Sequence, residues 1–238
     1  MKTIMENNII TYLVQEVIPE ADDVVTLRLR PLQNVIPPYK AGQFITIFFP
    51  ETGNKEGKSY SLSSSPNESG ISITVRGVGT FSNKLIAKKI GDTVNGSLPY
   101  GYFYSESEAS SMILVAGGIG IAPLMSMIKH SFFLYPTRKI ILFYSNKTSK
   151  SVVFKNELDE LSRQSDGNLI VEYYVTQEPI ASFGAKTRIP IHHIVKHQKQ
   201  LADQEFFICG SIPFVRDYWR GLKDSGVVEE KIYTEAFF

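Results

Sequence analysis

The sequence predicts a two-domain protein, with an antiparallel barrel or sandwich in its first half and a parallel sheet covered by helices in its second. Three observations lead there. Short β-branched and aromatic runs, separated by Pro, Gly, Asn and Asp, fill residues 9 to about 98. From residue 112 onward, apolar strands alternate with stretches of helical spacing, the pattern of a sheet buried on both faces. Between these halves lies MILVAGGIGIAPL, residues 112–124, where an apolar run enters Gly117-Gly118-Ile119-Gly120-Ile121-Ala122-Pro123 and leaves at helical spacing.

In the first half the expected strands are 12–18, 24–30, 43–49, 59–62 and 70–76. Residues 82–89 break the pattern, because Phe81, Leu85 and Ile86 recur at helical spacing before Gly91-Asp92, so one short helix is expected there with Ser82 as its cap. Lys84, Lys88 and Lys89 fall on its other side, either as a solvated face or as a docking patch for an acidic protein. Lys58-Ser59-Tyr60-Ser61-Leu62-Ser63-Ser64-Ser65 puts a cation, a flat ring and several hydroxyls at a strand end, a set that suits an aromatic heterocycle. Arg76-Gly77-Val78-Gly79-Thr80-Phe81-Ser82 precedes the helix, whose first N–H groups can hold an anion.

SESEASS, residues 105–111, is small and polar and marks the domain boundary near 105. Beyond it the expected order is strand 112–116, helix 123–134, strand 139–144, helix 152–164, strand 169–175, a helix near 191–200, strand 205–209, helix 213–225 and a last strand at 231–234. Glycines at the turn after Val115 remove side chains that would hold an anion away, and Pro123 fits a first helical turn because its missing N–H would be unpaired there. The motif is Gly-x-Gly-x-x-Pro, and no acidic residue follows Ile140-Ile141-Leu142-Phe143-Tyr144, so it departs from the common dinucleotide fingerprint. The strand ends Gly117–Gly120, Ser145-Asn146-Lys147, Thr176-Gln177-Glu178 and Cys209-Gly210-Ser211 are small or polar and agree with one nucleotide cleft.

Composition bounds the function. A chain of 238 residues, 43% hydrophobic and 21% charged, is globular in make-up and long enough for two ordinary cores. Its 25 basic and 24 acidic side chains give no bulk charge for nucleic acid. One cysteine, Cys209, excludes an internal disulfide framework and a cysteine-ligated cluster within the sequence. No apolar run is long enough for a membrane span, and MKTIMENNIITY lacks a signal peptide's core, so a cytoplasmic location is expected. His193 and His197 lie one helical turn apart, but no Glu or Cys completes a ligand pattern along the sequence, and their helix is expected to be exposed, so no metal is expected.

Several of these stretches together resemble the ferredoxin reductase family of flavoproteins. Lys58-Ser59-Tyr60-Ser61 resembles its flavin motif, Gly79-Thr80-Phe81-Ser82 its phosphate turn, and Leu98-Pro99-Tyr100-Gly101-Tyr102-Phe103 its strand end. Gly117-Gly118-Ile119-Gly120-Ile121-Ala122-Pro123, Cys209-Gly210-Ser211-Ile212-Pro213 and Tyr233-Thr234-Glu235-Ala236-Phe237 follow in the family's order. The resemblance implies a Greek-key β-barrel binding FAD over residues 1–105 and an α/β domain binding NADH or NADPH over 106–238. It implies that Tyr60 lies against the isoalloxazine, Ser61 bonds near its reactive nitrogen, and Lys58, Arg76, Gly79 and Ser82 serve the flavin phosphates. Gly117, Gly118, Gly120, Pro123 and Gly210 would hold the nicotinamide nucleotide, with Lys147, Gln177 and Arg188 toward its ribose phosphate. Phe237 would cover the opposite flavin face, and Cys209 and Glu235 would line the nicotinamide site, Glu235 as a proton relay; Ser61, Cys209 and Glu235 are the catalytic set.

Lys58 stands where the family prefers Arg, a point charge in place of a fork, which weakens the phosphate clamp or suits an FMN-like ligand. Gln177 and Lys147 stand where NADPH-specific members often carry Arg, which tilts the expectation toward NADH although Arg188 remains. With no iron–sulfur segment in the sequence, single electrons are expected to go to an acidic carrier such as ferredoxin or flavodoxin, or to an oxygenase component. Two other readings stand beside this one: a reductase that releases reduced flavin, and a non-enzymatic nucleotide-sensing or assembly subunit of the same fold.

Overall fold

The computed structural model describes residues 9–49, 51, 54–107, 111–178, 188–198 and 203–237. Residues 108–110 of the expected domain boundary and 199–200 of the expected helix lie outside them. The first half forms β1 (Ile9–Ala21), β2 (Val24–Pro31), β3 (Phe44–Phe49), β4 (Asn54–Ser61), β5 (Ile71–Arg76), α1 (Thr80–Ile86) and β6 (Thr93–Ser97). These strands make one antiparallel sheet in the order β4-β3-β6-β1-β2-β5. Its two edges approach where Leu62 bridges Ile73 and the Ser63 N–H donates to the Ser72 carbonyl at 2.8 Å. Alternate residues such as Val14, Leu27, Leu29, Ile45, Ile47, Ile71 and Ile73 form its core, the outcome of period-2 patterning.

Two details differ from the sequence expectation. Strand β6 was not among the expected runs, since Thr93-Val94-Asn95-Gly96-Ser97 has one apolar side chain. It is held instead by what Gly96 lacks: a Cβ there would lie 3.1 Å from the Tyr12 ring and 3.2 Å from Ile47 Cδ1, so glycine lets β6 settle between β1 and β3. Helix α1 starts two residues early, with Gly79 as its N-cap and Ser82 in the third helical position. Lys88 and Lys89 therefore lie beyond its last turn.

The second half forms β7 (Ser111–Gly117), α2 (Ile121–Leu134), β8 (Ile140–Asn146), α3 (Lys155–Gln164), β9 (Leu169–Val175), α4 (Ile191–Gln198), β10 (Gln204–Ser211), α5 (Ile212–Asp224) and β11 (Ile232–Phe237). The sheet is parallel, in the order β11-β10-β7-β8-β9. Its central strands are largely apolar on both faces, and each face has its own core: Leu114, Leu142 and Phe207 with α2 and α3, and Val115, Phe143 and Ile208 with α4 and α5. Among the described residues no helix is long and apolar enough to cross a membrane.

The two halves share one core. Val24, Ala41 and Phe103 from the first pack with Met127, Phe207 and Cys209 of the second, and the Phe103 and Phe207 rings meet edge-on at 5.5 Å. Helix α2 is pinned to the first sheet by the buried Ser126 hydroxyl, which donates to the Ser64 carbonyl at 2.5 Å. A short 3-10 turn, Gly118–Gly120, joins β7 to α2, and Gly120 is the N-cap. A Cβ on Gly120 would penetrate the Cys209 carbonyl, so this glycine is what lets α2 seat against β10. Gly120→Ala is expected to cost about 1–3 kcal/mol, the range for overpacking against atoms that cannot yield. Gly79→Ala, whose Cβ would meet nothing within 4 Å, is expected to stay within about 0.5 kcal/mol. Urea unfolding of both variants checks the contrast.

Candidate active site at the junction of the sheets

The ends of β4 and β11 meet. Ser61, the last residue of β4, is buried and donates through Oγ to Glu235 Oε1 at 2.8 Å, although 174 residues separate them in sequence. Glu235 sits in β11 opposite Cys209 of β10, and its Oε2 is buried without a hydrogen-bond partner. Burial pushes its carboxyl up to about 7, against the lesser pull of the Ser61 hydrogen bond. The residue as a whole is half-buried at the junction. Cys209 is fully buried, and burial followed by the neighbouring Glu235 drives its thiol well above the ordinary range, so it stays protonated and inert as a nucleophile.

Tyr60 precedes Ser61 on the other face of β4; its ring stacks on Phe81 at 6.4 Å, and burial raises its hydroxyl to about 12. Lys58 is exposed. Phe237, at the end of β11, pairs with Ser211 and packs against the shared core.

The glycines after β7 do different work. Gly118 adopts φ +55, and a Cβ there would lie 3.4 Å from Arg76 Nη1, which brings the Arg76 side chain from the first domain to the glycine turn of the second. Arg76 Nε is 3.3 Å from Asp23 Oδ2 but lacks the angle of a hydrogen bond. At Gly117 and Gly210 the missing side chains make room for the Phe214 ring, whose atoms lie 3.0 Å and 2.8 Å from where each Cβ would stand. Phe214, on the first turn of α5, went unnoticed in the sequence because an aromatic beside Pro213 reads as ordinary helix packing. Pro123 lies in the first turn of α2, where its missing N–H costs no hydrogen bond.

Ser82 is not the cap of α1. From the third helical position its Oγ accepts from the Val78 and Gly79 N–H groups at 2.9 and 3.1 Å and donates to the Gly79 carbonyl at 3.1 Å. Its hydroxyl thus fixes the turn that Gly79 leaves open.

At the ends of β8 and β9, Lys147 and Gln177 are both exposed and are linked by the Gln177 N–H to the Lys147 carbonyl at 2.9 Å. Arg188 is exposed and turns toward α5, its Nη1 3.7 Å from Asp217. Two residues here carry more than the sequence suggested. Glu178 accepts from the Ser149 N–H at 2.7 Å and from its hydroxyl at 2.9 Å, placing a carboxylate where β8 and β9 end. Asn146 is buried beside the Tyr144 hydroxyl with no hydrogen bond of good geometry to its amide.

Two sequence expectations about α4 fail. The helix is not exposed along its length, since Ile194 is fully buried in the α4–α5 core. Nor are His193 and His197 without an acidic companion: Glu172 of β9 joins them, with ligand-type atoms all within 4.8 Å of one another. A residue about twenty positions upstream reaches them because β9 runs beneath α4, a relation that local spacing cannot express.

Residues 114–219 match the oxidoreductase NAD-binding domain family. The flavohemoprotein of Rhizobium meliloti is 29% identical over 245 residues, covering 95% of this chain and 60% of that protein. The FAD/NAD-binding domain of nitric oxide dioxygenase from Vibrio cholerae has the same fold, with a TM-score of 0.81 at 24% identity over 97% of this chain and 99% of that one. A ferredoxin NADP+ reductase from Neisseria gonorrhoeae with bound FAD and NADP gives 0.79 at 20% identity, over 97% and 99%. The chain spans about 60% of the length of the first of the curated relatives it matches. An antiparallel sheet joined to a parallel one through a glycine turn is the fold this chain shares with those structures. Residues 114–219 thus carry an oxidoreductase NAD-binding domain, and the whole chain has the fold seen in these FAD- and nicotinamide-binding structures.

The Glu235 carboxyl gives a pH signature. Its ordinary value is 4.5 and its folded value about 7, so between them the folded chain holds a proton that the unfolded chain has released. Stability from this group is complete below the lower value and is lost as pH rises through the upper one. Glu235→Gln is expected to flatten that part of the profile, and the difference in urea midpoints between wild type and variant, followed from acid to neutral pH, checks it.

Proposed function

We propose that this chain is an FAD-dependent NAD(P)H oxidoreductase that passes single electrons to a protein acceptor. Residues 1–105 hold FAD, with the first sheet closed as a Greek-key barrel through the Leu62–Ile73 bridge, and residues 106–238 hold the nicotinamide nucleotide. The observation that carries this reading is the Ser61–Glu235 hydrogen bond, which puts the flavin-motif strand end against the carboxylate of the last strand. FAD, when bound, supplies the ability to accept a hydride and release electrons singly.

The residues present fit such ligands. Gly79 leaves open space at a turn held by Ser82, and Gly118 opens beside the Arg76 guanidinium, so phosphates from either side find donors with no side chain in the way. Tyr60 offers a ring face, and Phe237 closes the opposite side at the end of β11. Lys58, Arg76 and the Gly79–Ser82 turn serve the flavin phosphates. The turn of Gly117, Gly118, Gly120 and Pro123, with Gly210, serves the nucleotide, once the Phe214 ring yields the space over Gly117 and Gly210. Ser61 keeps Glu235 Oε1 as an acceptor, which leaves the proton to Oε2; that atom is our choice for proton exchange at the reacting rings, and Cys209 contributes a neutral, water-excluding surface.

Glu178 favours NADH. A carboxylate holding the Ser149 N–H and hydroxyl accepts ribose hydroxyls and repels a ribose phosphate, with Lys147, Gln177 and Arg188 as the neighbouring donors. The acceptor is an acidic electron carrier, ferredoxin or flavodoxin, or an oxygenase component. It would dock near α1, where Lys88 and Lys89 precede exposed Ile90 while Lys84 pairs with Glu51. A second reading, release of reduced flavin, draws on exposed Lys58, a single point charge for the flavin phosphates.

Anaerobic titration decides. The purified chain is expected to carry FAD, whose visible absorbance bleaches faster with NADH than with NADPH; FAD that stays oxidised under both would overturn the proposal. A colourless protein active only with added flavin would select the second reading. Glu178→Gln is expected to raise kcat/KM for NADPH relative to NADH by about tenfold, equivalent to about 1.4 kcal/mol, as read from initial rates with each nucleotide.

A further inference from the structure

We propose that Glu172, His193 and His197 form a site for a divalent first-row transition metal, Zn2+ by chemistry, that clips α4 to the edge strand β9. His193 and His197 are one turn apart on α4, so both rings lie on one face of the helix. Glu172 lies opposite Phe143 in the ladder, and Tyr174, two residues on, projects from the same face of β9. Glu172 Oε1 is 3.4 Å from His197 Nε2, and its Oε2 is 3.6 Å from His193 Nδ1. Four-coordinate zinc with bonds of about 2.0–2.1 Å needs ligand atoms about 3.4 Å apart. These two contacts use different oxygens of Glu172; with one ligand atom from each residue, the three lie within 4.8 Å of one another, wider than that spacing but within reach of it by side-chain rotation. The triangle closes by small rotations of the carboxylate and the imidazoles, the latter held near their place by the Phe143 ring, 5.9 and 5.8 Å from the two histidine rings.

Second-sphere support is also in place. The Tyr174 hydroxyl donates to Glu172 Oε2 at 2.9 Å and lies 2.8 Å from His193 Nδ1. On metal binding His193 Nδ1 exchanges Tyr174 for the ion, and the hydroxyl keeps its bond to the carboxylate, orienting it. The three side chains are 17–35% exposed, shielded enough to strengthen coordination yet open to an entering ion and to a water as fourth ligand. Two neutral imidazoles and one carboxylate suit zinc and its neighbours; calcium and magnesium want oxygen throughout. The site stands on the α4 side of the sheet and does not depend on the flavin and nucleotide reading.

The test uses the full chain without a histidine tag, stripped with chelator and titrated with ZnCl2 by calorimetry, with MgCl2 as a parallel arm. We expect one Zn2+ per chain at a Kd on the order of 1 μM or tighter, no uptake of Mg2+, and a thermal midpoint that rises with Zn2+. Co2+ in place of Zn2+ is expected to give a visible d–d band. His197→Gln, His193→Gln and Glu172→Gln should each weaken Zn2+ binding at least 100-fold and abolish the Co2+ band, and Tyr174→Phe should weaken it about tenfold. Near-UV circular dichroism and the urea midpoint report that each variant is folded. Absence of Zn2+ uptake by the wild-type chain, or uptake that persists in the folded His193→Gln/His197→Gln double variant, would overturn the proposal.

Discussion

Everything at the junction depends on how firmly the two sheets are held face to face. The Ser61–Glu235 hydrogen bond can form only because α2 is anchored to the first sheet by Ser126 and Ser64, and because Val24, Ala41 and Phe103 are built into the second domain's core. Apolar contact of this kind is non-directional and supplies the adhesion, while the buried hydroxyl–carbonyl bond fixes the register. The same closure removes water from Glu235, and that desolvation raises its carboxyl. Packing between domains and proton affinity at the site are thus one effect seen at two scales.

The glycines illustrate how one residue type answers different constraints within a few ångströms. Gly120 yields to backbone, Gly117 and Gly210 yield to the Phe214 ring, and only Gly118 combines a left-handed backbone with space beside a cation. A sequence motif reports that side chains are absent, and the packing around it decides whether a ligand or a neighbour takes the space.

That distinction also sets what was legible in the sequence. Strands of the second sheet were readable to within a few residues because their middles are mostly apolar and each is followed by a helical period. Strand β6 was hidden because its place depends on Tyr12 and Ile47 filling the gap left by Gly96, a contact between distant segments. Ser82 was readable as a helix-start residue but not as the third position, since both placements use the same hydroxyl and differ only in which N–H groups it accepts from. Motif order brought Ser61 and Glu235 onto the list of candidates, but burial of the carboxylate had no local signal. Glu178 and Glu172 carried none either: each acts through a partner on another element, Ser149 in one case and the α4 histidines in the other.

Cys209 and Glu235 face one another across the β10–β11 ladder, so their shared surroundings bear on which of them would handle a proton in the proposed reaction. Burial disfavours the anion of both. The carboxyl starts low in the pH scale and is lifted only to about 7, where it exchanges protons with neutral water readily. The thiol starts higher and is driven further up, and any charge on Glu235 adds to that displacement, so ionisation of one opposes ionisation of the other. Ser61 sharpens the asymmetry, because its hydrogen bond to Oε1 is available to the carboxylate and not to the sulfur. The pair therefore divides its roles by electrostatics alone, with the carboxylate as the titrating partner and the thiol as part of the apolar wall that keeps it dry.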